Sequence, residues 1–377
     1  MTLVTVNRAF FLLLATCFFA SMSLRAAEPA GDSQASTEVE YLPSGRPVTG
    51  PKTPGVELFD AVLDEMMTTI GCDAATLAVM DQGRLVISRA YGWKDKECRQ
   101  PTSVDTVMRI ASCGKPITAA AVKELLRRGE LKPDVKVFPY LGFQPYNGEL
   151  GDSRVNEITV AQLLDHKGGF DRALASDPMF QLGTIKRELK LREPVTTRHV
   201  IEYMLAQPLQ FAPGERYCYS NYGYCVLGRV IERATDKTYL DYVQETICEP
   251  LAIDDLIQSR NRAADRPASE VHYPIDDRAF SVEVMDAHGG LATSALSLCK
   301  FMQKYWISGD PRVPSEQRSY VFFGSLPGTT AMIQQRPDGL DCAVLLNGRR
   351  DTHLNEDHAE LRAKLNTALD QFRAQQP

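Results

Sequence analysis

Val107-Met108-Arg109-Ile110-Ala111-Ser112-Cys113-Gly114-Lys115 leads directly into a helical run from Pro116 to Arg128. A serine at the mouth of that helix, with a lysine three residues on, places the amine one turn away and within reach of the hydroxyl. A serine hydroxyl is a poor nucleophile at neutral pH. A lysine can take its proton when burial or nearby positive charge lowers the lysine pKa. The helix N-terminus also favours negative charge developing at the serine. The spacing by itself is weak, because Ser297-Leu298-Cys299-Lys300 repeats it and a serine before a helix is an ordinary N-cap.

A second constellation stands about a hundred residues on: Phe211-Ala-Pro-Gly-Glu215-Arg-Tyr-Cys-Tyr219-Ser220-Asn221-Tyr-Gly-Tyr. Pro-Gly reads as a turn, and Val226, Leu227, Val230 and Ile231 follow at helical spacing. Tyr219 and Asn221 are therefore expected to project from a loop ahead of a helix. Tyr219 has a competing reading as one packed aromatic among Tyr217, Tyr222 and Tyr224, and Asn221 one as a turn residue.

Together these motifs resemble the serine β-lactamase and penicillin-binding protein superfamily. The branch is the one that holds class C β-lactamases, D-alanyl-D-alanine carboxypeptidases and family VIII esterases. In that branch Ser-x-x-Lys is followed by Tyr-x-Asn, met here by Ser112, Lys115, Tyr219 and Asn221. Leu163-Leu-Asp-His166-Lys-Gly-Gly-Phe170 and Gly289-Gly-Leu-Ala-Thr-Ser294 match two further segments, and the likeness runs from about Val56 to Leu346. The resemblance implies an α+β, β-lactamase/transpeptidase-like fold: an antiparallel sheet flanked by helices, a helical lobe, and the site in the cleft between them. It also implies a serine hydrolase that works through an acyl-enzyme, with Ser112 as nucleophile and Lys115 and Tyr219 moving protons.

The third motif departs from the family. Where the branch has His or Lys, any residue, then Gly, this chain has Phe322-Phe323-Gly324-Ser325. The cation that would help hold a substrate carboxylate is an aromatic ring. By resemblance that disfavours penicillins and D-Ala-D-Ala peptides and favours a neutral, apolar acyl chain. The oxyanion hole is expected to survive, because it uses backbone N–H groups, here of Ser112 and Ser325. Asn221 is expected to orient Lys115 and the acyl side of the substrate. Gly324 permits either a bulge or close substrate approach. About thirty residues separate Gly290 from Phe322, short for the family, so the sheet is expected to be trimmed or the site more open. The same departures support the alternative of a non-catalytic protein that binds a peptide, a cell-wall component or a protein.

The flanking sequence supports the same picture. Apolar periodicity predicts a helix over Val56 to Ile70. Strands are expected over Thr76 to Met80, Leu85 to Ala90, Thr330 to Gln334 and Cys342 to Leu346, with a polar helix from Asn355 to Arg373. First and last strands can then join in one sheet. Residues 1–27 read as a secretory signal peptide, 28–54 as a flexible tether rich in Pro, Ser, Gly and Thr, and 55–373 as the hydrolase domain. Secretion or a periplasmic location follows, with retention at a membrane by an uncleaved segment as the alternative.

The composition narrows the partners. The 377 residues carry a formal net charge of -6 with isolated basic pairs, which argues against nucleic acid. A small-molecule or peptide substrate remains, with cell-wall association and oligomeric state left open. No cofactor is required, and no metal motif such as Cys-x-x-Cys or His-Glu-x-x-His occurs. An oxidising compartment would permit disulfides, with Cys72 and Cys98, flanking the first hairpin, as the favoured pair. Cys113 is expected to pack beneath its helix. His166 and His288 are left outside the catalytic set.

Overall fold

The computed structural model of the protein describes residues 39–275, 280–313 and 316–376. The expected signal peptide lies outside the described residues.

The chain opens with β1 (Glu40–Tyr41), β2 (Pro47–Thr49) and α1 (Val56–Ile70), followed by β3 (Ala74–Asp81) and β4 (Arg84–Asp95). β3 and β4 form a hairpin closed by Gln82 and Gly83, at φ 46° and 86°. Two positive φ values in a two-residue loop match the right-handed strand twist. Next come β5 (Gln100–Pro101), β6 (Met108–Arg109) and α2 (Lys115–Arg128). The helical lobe contains α3 (Val137–Leu141), α4 (Val160–Leu164), α5 (Arg172–Ala175), α6 (Leu182–Glu188), α7 (Thr197–Leu205), α8 (Asn221–Thr235) and α9 (Tyr239–Val243). β7 (Ile257–Gln258), β8 (Leu291–Thr293) and α10 (Ala295–Lys304) lead to β9 (Tyr320–Leu326), β10 (Thr329–Gln335), β11 (Leu340–Leu346) and the terminal α11 (Leu354–Gln375).

The main sheet runs β1-β2-β4-β3-β11-β10-β9, antiparallel throughout, with β5 added to β4. First and last strands do join, β3 against β11 from Ala75↔Leu346 to Asp81↔Leu340. Strand alternation supplies two apolar faces. Ala75, Leu77, Val79, Cys342, Val344 and Leu346 meet Phe59, Leu63 and Met66 of α1 and Leu361, Leu365, Leu369 and Phe372 of α11. Rings of Phe59 and Phe372 meet edge to face at 5.8 Å. Ala78, Met80, Ala331, Ile333, Ala343 and Leu345 point the other way, into the core shared with α2, α8 and α10. Each buried Val, Leu, Ile, Phe or Met side chain among them is worth roughly 1.5–3 kcal/mol, so the layer order follows from which face each strand residue takes.

Two expectations need correction. Residues 39–54 are not a flexible tether: Val48 pairs with Tyr91 and is buried, and Arg89 joins Glu40 and Asp60 in an ion-pair cluster. The composition that suggests a linker here builds a sheet edge. Cys72 and Cys98 are both free thiols. Cys72 is buried and faces Gly348, whereas Cys98 is exposed in the β4–β5 turn, its N–H bonded to Asp95. Between Gly290 and Phe322 the described chain forms β8 and α10, and β9 is one edge of the main sheet.

Candidate active site

A small sheet, β6-β8-β7, anchors the Ser112 turn. Ile110 N–H donates to Leu291 O at 3.0 Å, which sets the Gly289-Gly290-Leu291 segment beside Ser112. Ala111 to Gly114 then form one tight 3-10 turn ahead of α2, with Ala111 in the left-handed region at φ 47°. A non-glycine residue held there is strained and is tolerated where surrounding packing over-determines it. Ala111 is fully buried, and the turn leaves Ser112 half-exposed.

Lys115, the first residue of α2, is 2% exposed. Its Nζ lies 3.0 Å from Ser112 Oγ and donates to His288 O at 2.7 Å. Burial pushes its pKa down from 10.5 to about 7, with the Asp177 carboxylate opposing and the Arg172 guanidinium adding to the shift. A substantial fraction of the amine is therefore neutral at neutral pH, when it can accept the serine proton. The repeated spacing at Ser297 and Lys300 builds nothing comparable. Ser297 is buried on α10, and Lys300 Nζ donates to Ala252 O at 2.5 Å.

Tyr219 OH donates to Ser112 Oγ at 2.8 Å. Its ring lies 4.7 Å from the His166 ring and 5.0 Å from Lys115 Nζ. Burial holds the phenol pKa well above its ordinary value, so the site keeps it protonated. His166 adopts φ 54°, accepts the Ser220 N–H on Nδ1 at 3.1 Å, and receives the Cys218 N–H on its carbonyl at 2.8 Å. It therefore positions the loop that carries Tyr219. Burial, aided by the Lys115 charge, pushes its pKa down to about 4, which keeps the ring neutral.

Asn221 is the first residue of α8 rather than a loop residue, with Ser220 as N-cap. Its Nδ2 donates to Asp177 Oδ2 at 2.6 Å. The expected contact with Lys115 is therefore replaced by one to a carboxylate, and that carboxylate in turn acts on Lys115.

Phe322, Gly324 and Ser325 sit on edge strand β9. Its register with β10 is continuous from Tyr320 to Leu326, so Gly324 marks no bulge. A Cβ at Gly324 would fall 2.1 Å from Ile110 O and 3.0 Å from the backbone nitrogens of Ser112 and Cys113. The glycine thus lets the sheet edge touch the nucleophile turn, and that backbone, rather than a substrate, is its close neighbour. Leu326 and Thr329 close the two-residue turn as a hydrogen-bonded pair, so the next pair, Ser325 and Thr330, is non-bonded and Ser325 N–H faces the free edge. Gly324, the residue before it, borders the Ser112 turn, so this N–H is available to an oxyanion formed there. Phe322 is partly buried against the core and offers no charge. Cys113 is fully buried, its thiol pushed up to about 12 by burial, so it is no competing nucleophile.

Sequence reading missed Asp177, Arg172 and the His288 carbonyl. Asp177 and Arg172 carry no motif. The adjacency of His288 to the Gly-Gly pair was the only available signal, and its contribution is a backbone atom rather than its buried ring.

The Beta-lactamase family model matches residues 59–360. Esterase EstB of Burkholderia gladioli is 32% identical over 203 residues, 52% of this chain and 50% of that protein. N-acetylmuramyl-L-alanine amidase of Bacillus subtilis is 26% identical over 318 residues, 74% of this chain and 68% of that protein. The chain thus spans about half the length of EstB and two thirds of the amidase. Among solved structures, D-amino acid amidase from Ochrobactrum anthropi SV3 superposes with a TM-score of 0.64 at 18% identity, covering 84% of this chain and 99% of that one. At that identity the likeness establishes the fold.

Proposed function

The chain belongs to the Beta-lactamase family, and from that premise we propose that it is a serine hydrolase acting through an acyl-enzyme on Ser112, with esters as its favoured substrates. The observation that carries this reading is the convergence of Lys115 Nζ, at 3.0 Å, and Tyr219 OH, at 2.8 Å, on Ser112 Oγ. Neutral Lys115 takes the Ser112 proton as Oγ attacks the substrate carbonyl carbon. The backbone N–H groups of Ser112 and Ser325 receive the developing oxyanion. As the tetrahedral intermediate collapses, Tyr219 gives its proton to the departing alkoxide and is reprotonated from Lys115. Water then attacks the acyl-enzyme, releasing the acid and returning the proton to Ser112.

Ester substrates rank first because Phe322 stands where the resemblance places a cation, and because the sheet wall of the site is apolar there. The similarity to EstB, named as an esterase, agrees with this ranking. The N-terminal sequence, read as a secretory signal peptide, supports export and with it a reaction outside the cytoplasm.

Intact-mass spectrometry tests the reading. The folded chain, exposed separately to a fluorophosphonate and a penicillin, is expected to gain one fluorophosphonate adduct, absent in Ser112→Ala, and no stable penicillin adduct. Absence of both adducts from folded protein would overturn the hydrolase and favour a non-catalytic binding protein. A second prediction concerns Tyr219→Phe, which keeps the ring against His166 and removes only the hydroxyl. It should lower kcat on a p-nitrophenyl ester about 10²–10⁴-fold while leaving thermal unfolding close to wild type.

A further inference from the structure

Arg172, on α5 in the helical lobe, is exposed, and its guanidinium lies 5.1 Å from the centroid of the Tyr219 ring. The ring's own hydroxyl touches the nucleophile, so the guanidinium is one ring and one hydrogen bond from Ser112 Oγ. The acids nearest in sequence are both committed elsewhere. Asp171 pairs with Arg216 at 2.8 Å and accepts the Ala173 N–H, while Asp177 accepts from Asn221 Nδ2 and from the Met179 N–H. Arg172 forms no ion pair or hydrogen bond among the described residues. Arg349, the cation near the sheet wall at 3.5 Å from Ser325 Oγ, is by contrast paired with Asp351. A planar guanidinium with five donors, held over an aromatic face at the rim of a reactive site, suits bidentate binding of a carboxylate.

Resting on the hydrolase reading above, we infer that Arg172 is a substrate-binding residue and that the preferred ester carries a carboxylate, received on the helical-lobe wall while an apolar portion lies against Phe322. The cation missing from the sheet wall is thereby replaced from the other side of the cleft. A substrate whose charge and ester are arranged for the family's usual cation would then meet Phe322 instead.

The test compares wild type, Arg172→Gln and Arg172→Lys on charged and neutral ester pairs. Mono-p-nitrophenyl glutarate against p-nitrophenyl butyrate places the carboxylate on the acyl side. Para-acetoxybenzoate against its methyl ester places it on the leaving group. Arg172→Gln is expected to reduce kcat/KM for the charged member of one pair about tenfold more than for its neutral partner, mainly through KM, with partial recovery in Arg172→Lys. The pair that responds identifies which half of the substrate carries the charge. Equal losses on charged and neutral esters in both pairs, or no loss, would overturn the assignment. Fluorophosphonate labelling of wild type and Arg172→Gln separates the two levels. Labelled, ester-cleaving protein without charge discrimination removes only the Arg172 proposal, whereas unlabelled, inactive wild type removes the hydrolase reading and this one with it.

Discussion

Ser112→Ala is expected to lower kcat/KM on a p-nitrophenyl ester by about 10⁴–10⁶-fold, and Lys115→Met nearly as much, with the double variant no worse than Ser112→Ala. The non-additivity follows from the geometry: the amine and the hydroxyl are 3.0 Å apart and act on one proton, so the second loss removes nothing that the first has left. The pH profile carries the sign. Lys115 must be neutral to accept the proton, and burial sets its pKa at about 7. Log kcat/KM of the wild type should therefore rise with unit slope below that pH and level off above it. A rate independent of pH between 5 and 8 would remove Lys115 as the base. Stability should respond in the complementary sense. The folded pKa lies below the unfolded value of 10.5, so between 10.5 and about 7 the unfolded chain binds the proton that the folded chain does not. As the pH falls through that window, the wild type loses stability relative to Lys115→Met, and denaturant midpoints of the two proteins at pH 10 and pH 7 measure the difference.

Much of this site was legible because its chemistry is local in sequence. Ser112 and Lys115 are three residues apart, and the turn and helix that hold them follow from Gly114 and Pro116 ahead of an apolar run. The helix over Val56 to Ile70 and the strand at Cys342 to Leu346 were legible for the same reason: 3.6- and 2-residue periodicities report which face is buried. What was not legible depends on contacts across the fold. Asp177 reaches Asn221 over 44 residues, and the His288 carbonyl reaches Lys115 over 173. A backbone acceptor leaves no trace in residue type. Residues 39–54 have the composition of a linker and become sheet edge only because β4 is long enough to pair with them. Gly324 was visible as a glycine, but whether it served a bulge, a substrate or a neighbouring backbone was decided by where β9 meets the turn at Ser112.

That meeting point supplies the other large effect. In Gly324→Ala the added Cβ would stand 2.1 Å from Ile110 O and 3.0 Å from Ser112 N, and backbone atoms on both sides leave no flexible side chain to yield. The edge strand must retreat from the nucleophile turn, and Ser325 N–H retreats with it. Loss of one oxyanion donor costs about 10²–10³-fold in kcat, and overpacking a buried backbone contact costs roughly 1–3 kcal/mol of stability. Both losses are expected together, read as kcat and as the denaturant midpoint. Phe323→Leu on the same strand separates them. Its side chain takes the opposite face, with the ring 4.2 Å from that of His358, so it should lower stability while preserving kcat far better than Gly324→Ala. If Gly324→Ala instead folds with full kcat, the approach of β9 to Ser112 does not set the oxyanion site, and the acyl-transfer geometry must draw its second donor from elsewhere.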